Sequence, residues 1–171
     1  MTSVLVVVGG LPATGKSTVC AELARAQRAA WLRIDRIEDA IVRATSLQHP
    51  VGVVGYAVAY ALAQEQLRCG IDVIVECVNP LQVTRDAWRQ VAAGASAAVL
   101  EVELVCSNPA EHRRRAETRT IDIEGHQLPT WEQIINREYE PWNRDHAVID
   151  TATAPAGDAV AQIQQLGWPH A

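Results

Sequence analysis

The sequence predicts a three-layer α/β domain built on a parallel sheet. Two observations lead there. Short apolar runs such as Val4–Val8 and Val73–Val75 show no polar alternation, as expected of strands covered on both faces. Between these runs lie segments of helical length with apolar residues on one face. A third observation places the chemistry: the first run stops at Gly9-Gly10, and three others lead into carboxylates, Asp35, Glu76 and Asp150. In open α/β sheets, ligands bind beyond the C-terminal ends of the strands.

The first strand is Val4–Val8. After it comes Gly10-Leu11-Pro12-Ala13-Thr14-Gly15-Lys16-Ser17-Thr18, a Gly-x-x-x-x-Gly-Lys-Ser pattern that opens a helix. Gly10 and Gly15 allow a tight turn whose N–H groups point inward, and the positive end of the following helix adds to the anion site. Lys16 reaches the β- and γ-phosphates of a nucleotide in such a loop, and the Ser17 hydroxyl ligates Mg²⁺. A Gly-rich turn with a solvated lysine is the bland reading, but motif, strand and helix agree on a P-loop. ATP and Mg²⁺ are therefore the expected cofactors.

The remaining elements follow in order. Lys16–Ala29 is expected as the first helix, with Val19, Leu23 and Ala26 on one face. Trp31–Ile34 is a short strand that delivers Asp35. Ile37–Thr45 reads as a helix, with Glu38 and Asp39 near its positive end. After a break at Gln48-His49-Pro50, Val51–Arg68 reads as a long apolar helix closed by Cys69-Gly70. Ile71–Glu76 is the third strand. Leu81–Ala93 is an amphipathic helix carrying Arg85, Trp88 and Arg89. Ala97–Val105 is the fourth strand, whose Glu101 and Glu103 put one face in solvent or the strand nearer an edge. Ser107-Asn108-Pro109 starts a helix that carries Arg113, Arg114, Arg115 and Arg119. Arg115 and Arg119, four apart, are expected on one helical face. Thr120–Pro129 reads as a loop, making a mobile lid of about 113–130. Thr130–Asn143 is expected as a helix that Pro141 bends or ends. Ala147–Asp150 is the fifth strand and Gly157–Leu166 the last helix. No repeat or linker divides the 171 residues, so one domain spans 1–171.

Composition narrows the function classes. With 49% hydrophobic and 20% charged residues the chain is globular rather than disordered. The longest apolar stretch, Val51–Ala63, is too short for a membrane span and is interrupted by glycines and tyrosines. No basic leader precedes the first strand, and Cys20, Cys69, Cys77 and Cys106 lack zinc spacing; reduced, buried thiols and a cytoplasmic location are expected. The net charge of −5 argues against a broad nucleic-acid surface but not against local phosphate binding.

The candidate catalytic residues follow from the chemistry of phosphoryl transfer. A carboxylate must orient or deprotonate the attacking hydroxyl, and Asp35 is placed for that. Positive charge must meet the transferring phosphoryl, and Lys16, Arg115 and Arg119 are the candidates. Ser17 and Glu76 are the candidate metal ligands, with Glu76 alternatively contacting the acceptor. Asp150 is expected in a structural or nucleotide-edge role. Trp31, Tyr56 and Tyr60 are candidate acceptor-pocket residues, although each is equally at home in a core.

On Gly10–Thr18, Asp35, Val73-Ile74-Val75-Glu76, Arg115-x-x-x-Arg119 and Val148-Ile149-Asp150-Thr151, the chain resembles the small P-loop kinases of the adenylate-kinase-like branch. These include shikimate, gluconate and polynucleotide kinases and chloramphenicol phosphotransferase. The resemblance covers nearly the whole chain. It implies sheet order 2-3-1-4-5, an ATP–Mg²⁺ donor, and an acceptor held between the Asp35 loop and the Val51–Arg68 helix. Many members carry Asp where this chain has Glu76. The expected function is transfer of the ATP γ-phosphoryl group to a hydroxyl of a small molecule, such as a natural product or antibiotic. Two alternatives stay open: a nucleoside, nucleotide or polynucleotide 5′-hydroxyl kinase, and a non-kinase ATPase or nucleotide switch acting on a protein partner. The guanine-reading Asn/Thr-Lys-x-Asp of GTPases is missing, and Val75-Glu76-Cys77 lacks the second carboxylate of motor ATPases.

Overall fold

The strand β1, Val4–Gly9, is the axis of the structure, and every one of its residues is buried. Its side chains alternate between two cores, as the period of a strand demands. Val4, Val6 and Val8 join a cluster with Val19, Leu23, Val160, Ile163 and Trp168. Leu5 and Val7 face Ala59, Ala63, Leu67, Trp88 and Val91. The computed structural model describes residues 2–120 and 128–168. The loop expected at Thr120–Pro129 lies mostly outside the described residues.

The order of elements is β1, α1 (Lys16–Gln27), β2 (Ala30–Arg33), α2 (Ile34–Ala44), α3 (Val54–Arg68), β3 (Val73–Glu76), α4 (Gln82–Gly94), β4 (Ala98–Val105), α5 (Pro109–Thr118), α6 (Trp131–Ile135), β5 (Ala147–Asp150) and α7 (Ala156–Gln165). The strands form one parallel sheet in the order β2-β3-β1-β4-β5. α1 and α7 cover one face; α3 and α4 cover the other. The three-layer expectation and the strand order are both met.

Three expectations about the first four strands and their helices need correction. β2 ends at Arg33, and Ile34 already begins α2, so Asp35 sits in a helical first turn rather than at a strand end. α3 starts at Val54, because Gly52 takes a left-handed backbone (φ +64°) that ends regular helix there. β4 is an inner strand between β1 and β5, and Glu101 is buried. Glu101 accepts two bonds from Arg144 (2.8 and 2.9 Å) and one from Arg89 (3.0 Å), so it marks a buried ion cluster and not solvent, while the half-buried Glu103 pairs with His146 (3.0 Å).

The helix expected over Thr130–Asn143 stops at Ile135. Its start is well made: Thr130 and Gln133 exchange side-chain and backbone bonds in a capping box. Beyond Asn136 the backbone serves a different partner. Glu140 N donates to Pro80 O (2.9 Å), and the buried Arg85 of α4 binds the carbonyls of Glu140 (2.8 Å) and Pro141 (3.2 Å). Tertiary bonds thus replace the helical ones.

Two of the four cysteines, Cys20 and Cys77, are buried free thiols, while Cys69 is exposed and Cys106 half-buried. No helix among the described residues is long and apolar enough to cross a membrane.

Candidate active site

The loop between β1 and α1 is set by close backbone approach. Gly10 has φ +132°, and a Cβ there would lie 2.2 Å from Leu104 O, so only glycine fits. Gly15 takes φ +92° at the N-cap of α1, and its N–H and those of the first helical turn are left for an anion. Lys16 folds back over the loop and donates from Nζ to Gly10 O (2.8 Å) and Leu11 O (2.7 Å). Its burial lowers its pKa, an effect that Glu76 and Asp35 oppose.

Two outside groups, Thr151 and His112, and the loop's own Thr14 hold this loop. Thr151, just after β5, donates its hydroxyl to Thr14 O (2.8 Å). Thr14 Oγ1 donates to Leu11 O (2.9 Å). His112 of α5 lies 2.8 Å from Pro12 O through Nε2. A carbonyl only accepts, so Nε2 carries the hydrogen in this contact.

The Ser17 hydroxyl donates to Glu76 Oε1. Arg33, at the end of β2, brings Nε to 3.2 Å from Glu76 Oε2. Register explains the meeting: Arg33 and Val8 are the two strand neighbours of Glu76. Burial raises the Glu76 pKa, and the Ser17 bond and the Arg33 charge work against that rise. Beside Glu76, burial pushes the Cys77 thiol up to about 12, so it stays neutral.

Ser17 and Glu76 thus present a hydroxyl and a carboxylate in contact, both hard oxygen donors. That pair fits Mg²⁺, which binds few protein oxygens and completes its shell with phosphates and water. Among the described residues no group of three His, Cys, Asp or Glu could hold a metal alone.

α5 supplies the basic side. Asn108 caps it, accepting from the N–H groups of Ala110 and Glu111, with Pro109 in the first turn. Arg115 is more constrained than its sequence position implies. Its Nε donates to Glu111 Oε1 (2.7 Å), and its terminal nitrogens donate to Thr151 Oγ1 and Thr151 O (both 2.9 Å). Arg114 also binds Glu111, and the two arginines, Arg114 first, hold that carboxyl down at about 2. Arg119 does not share a helical face with Arg115: α5 ends at Thr118, and Arg119 has extended backbone. Arg119 still lines the cavity over the loop and binds Pro129 O (3.4 Å). Burial lowers its pKa, with Asp35 the charge that opposes the shift.

Three cavities meet at Asp35, the third, about 750 Å³, running past Glu38, His49, Arg119 and Arg137. The first, about 510 Å³, lies over the loop and is lined by Lys16, Ser17, Thr18, Arg33, Glu76, Arg115 and Arg119 among others. The second, about 520 Å³, lies between α2, α3 and the β3–α4 loop, with Tyr56 and Tyr60 in its wall. The exposed Asp35 and the half-buried Val78 border the first two. Trp31 is absent from that wall; it packs on the opposite face of the sheet with the Val4–Val6–Val8 core. An alternating strand sends Trp31 and Leu32 to opposite faces, and Leu32 packs on the α3–α4 side.

Asp150 accepts from Ser107 N (3.0 Å), Ser107 Oγ (2.5 Å) and Ala152 N (3.0 Å), which lowers its pKa, the Ser107 hydroxyl first. It organises the turn after β5 next to Thr151.

Sequence reasoning missed Arg33 and His112. Arg33 carried a weak signal, a cation at the end of a strand beside Asp35. His112 carried none beyond being a histidine in an arginine run, and its partner is a hundred residues away.

This loop on this parallel sheet defines a P-loop nucleotide-binding domain, with the fold of the small kinases of the adenylate-kinase-like branch. The chain belongs to the AAA_33 family, an AAA domain, which it matches over residues 5–135. Solved structures share the whole fold. A candidate kinase from Chloroflexus aurantiacus is 20% identical with a TM-score of 0.76, covering 96% of each chain. The APS kinase of Mycobacterium tuberculosis, solved with AMPPNP and APS, is 18% identical with a TM-score of 0.72, covering 96% of this chain and 97% of that one. A gluconokinase from Sinorhizobium meliloti is 21% identical with a TM-score of 0.66, covering 96% and 94%. No curated protein matches the sequence.

Proposed function

We propose that this protein is an ATP-dependent kinase that phosphorylates a hydroxyl group of a small molecule. The observation that carries this reading is the position of Asp35, the carboxylate shared by the loop cavity and the Tyr56–Tyr60 cavity. A base at the junction of a phosphate site and a second cavity is what hydroxyl phosphorylation requires.

In this reading the loop N–H groups and Lys16 bind the β- and γ-phosphates, and Lys16 exchanges its bonds to Gly10 O and Leu11 O for phosphate oxygens. Ser17 and Glu76 would hold Mg²⁺, which when bound neutralises phosphate charge. The acceptor oxygen forms its bond to the γ-phosphorus while the bond to the β–γ bridging oxygen breaks, and that electron pair stays on ADP. Asp35 takes the hydroxyl proton. Arg119, beside Asp35 and over the loop, meets charge on the transferring group, and Arg115 steadies the Thr151 turn against the loop.

The test is ADP release with ATP–Mg²⁺ against nucleosides, sugars, hydroxylated antibiotics and a 5′-hydroxyl oligonucleotide. Release that rises with one acceptor supports the kinase reading. In Asp35→Asn, kcat should then fall by roughly 10²–10⁴-fold with ATP affinity spared. Release indifferent to every acceptor overturns it in favour of an ATPase or switch. Loss of ATP–Mg²⁺ binding in Asp35→Asn would move that residue into the metal site.

A further inference from the structure

The second cavity has a chemistry of its own. Its walls are mostly apolar: Val51, Tyr56, Ala57, Tyr60, Leu81 and Val83 contribute. The aromatic wall is rigid. Tyr60 packs edge-on against the buried Trp88 with centroids 4.4 Å apart, and Tyr56 lies 5.9 Å from Tyr60. Rings held this way offer a flat or ring-shaped ligand a fixed partner.

The hydroxyls of Tyr56 and Thr84 in this wall are already engaged. Tyr56 Oη accepts from Asn79 N (3.3 Å), and Thr84 Oγ1 lies within 2.9 Å of Asn79 Oδ1 and Leu81 O. A polyol buried here would leave hydroxyls without partners, which is costly.

The charges facing the cavity are two carboxylates and one cation. Asp35 stands at the phosphate end. Glu38 lies over the first turn of α3, where Gly55 makes room for it: a Cβ at 55 would meet Glu38 Cγ at 2.4 Å. Arg137 is exposed at the rim. Burial raises the Glu38 pKa, with the neighbouring Asp35 charge adding to the rise and the His49 and Arg137 charges opposing it. An added anion would worsen this repulsion, whereas an ammonium would relieve it and also find an aromatic face.

The geometry points to a phosphoryl acceptor that is an alcohol with an apolar, ring-sized body and a neutral or cationic substituent facing Glu38, and not a polyol or an anion. This rests on the kinase reading for the word acceptor, but the pocket assignment is measured by binding alone.

Three probes share one body and differ only in charge: 4-(hydroxymethyl)benzylamine, 4-methylbenzyl alcohol and 4-(hydroxymethyl)benzoate. D-sorbitol and D-gluconate represent polyols. Affinities are taken by ligand-observed NMR on the full chain with AMPPNP and Mg²⁺. The amine should bind at least tenfold more tightly than the benzoate, with the neutral alcohol between them. Glu38→Gln should erase the preference for the amine while sparing the neutral alcohol. Ala57→Trp, which fills the cavity from an exposed helix position, should remove all three. Equal or tighter binding of the benzoate, tighter binding of either polyol, or no binding of the aromatic probes overturns the assignment. ADP release stimulated by D-gluconate alone would overturn it and leave the kinase reading standing. The expected binding order with no acceptor-stimulated release would support the pocket and sink the kinase reading instead.

Discussion

His112 Nε2 donates a hydrogen bond to the carbonyl oxygen of Pro12 at 2.8 Å, tying helix α5 to the phosphate-binding loop. The imidazole is buried and meets the edge of Trp131, with ring centroids 5.1 Å apart. Pro12 precedes Ala13, which holds a left-handed backbone at φ +66°. An anchor on the Pro12 carbonyl therefore fixes the peptide that aims the Ala13 N–H, at a position where a non-glycine residue is strained.

Removing that anchor should loosen the loop rather than the fold. His112→Ala should raise KM for ATP about fivefold, the worth of about 1 kcal/mol for one hydrogen bond, with a smaller change in kcat. His112→Gln, whose amide nitrogen reaches the same distance, should recover most of the loss. A purely structural role would lower the melting temperature in both variants and leave KM unmoved.

Lys16 is the second test. Its side chain is buried but, among the described residues, bonds only to its own loop, so Lys16→Ala should keep the fold while lowering turnover by roughly a thousandfold or more. Circular dichroism and ADP release on one preparation check both halves. Unchanged turnover would remove the catalytic reading of the loop.

Glu76 links function to stability through pH. Its folded-state pKa is raised, first by burial, so folding favours the protonated form. That contribution is complete below the unfolded carboxyl pKa and disappears as pH rises through the folded value. Glu76→Gln should therefore melt higher than the wild type at neutral pH, and the gap should close in acid. ATP turnover should fall in the same variant, since it loses a carboxylate beside Ser17. A gap that ignores pH would show that the carboxylate is not strained by its burial.

Arg85 should matter for stability and not for chemistry. Its guanidinium is fully buried, donates to the carbonyls of Asn79, Pro80, Glu140 and Pro141, and lies 4.2 Å from the Trp142 ring centroid. Arg85→Met leaves the carbonyls of Asn79, Glu140 and Pro141 without this donor, while Pro80 O keeps its bond from Glu140 N, and should cost about 3 kcal/mol or more. In a chain of this length that is a fall of about 6–12 °C in melting temperature. Arg85→Lys should recover only part, because an ammonium cannot span a four-carbonyl ring of this width. A drop below about 2 °C would mean that water serves the carbonyls instead.

The elements that were legible in the sequence are those whose cause is local. Apolar runs marked the strands, free of polar alternation except in the fourth, and Ala147–Asp150 was placed to the residue. Gly10 and Gly15 marked the turn because their backbone angles admit little else. The helix after Thr130 had good local propensity, yet Arg85 and Pro80 take its backbone groups from across the fold. Arg119 matched Arg115 in helical spacing, but the helix stops one residue before it.

The sequence by itself determined the parallel α/β class, the phosphate loop, and Asp35, Glu76 and Ser17 as groups near that loop, since strand burial and turn chemistry act over a few residues. Only the tertiary structure decided that Arg33 pairs with Glu76, that His112 and Thr151 hold the loop, that Trp31 faces away, and that Glu38 joins Tyr56 and Tyr60 around a second cavity. Those meetings depend on strand order and register, which bring distant residues within a few ångströms and leave no periodic mark in the chain.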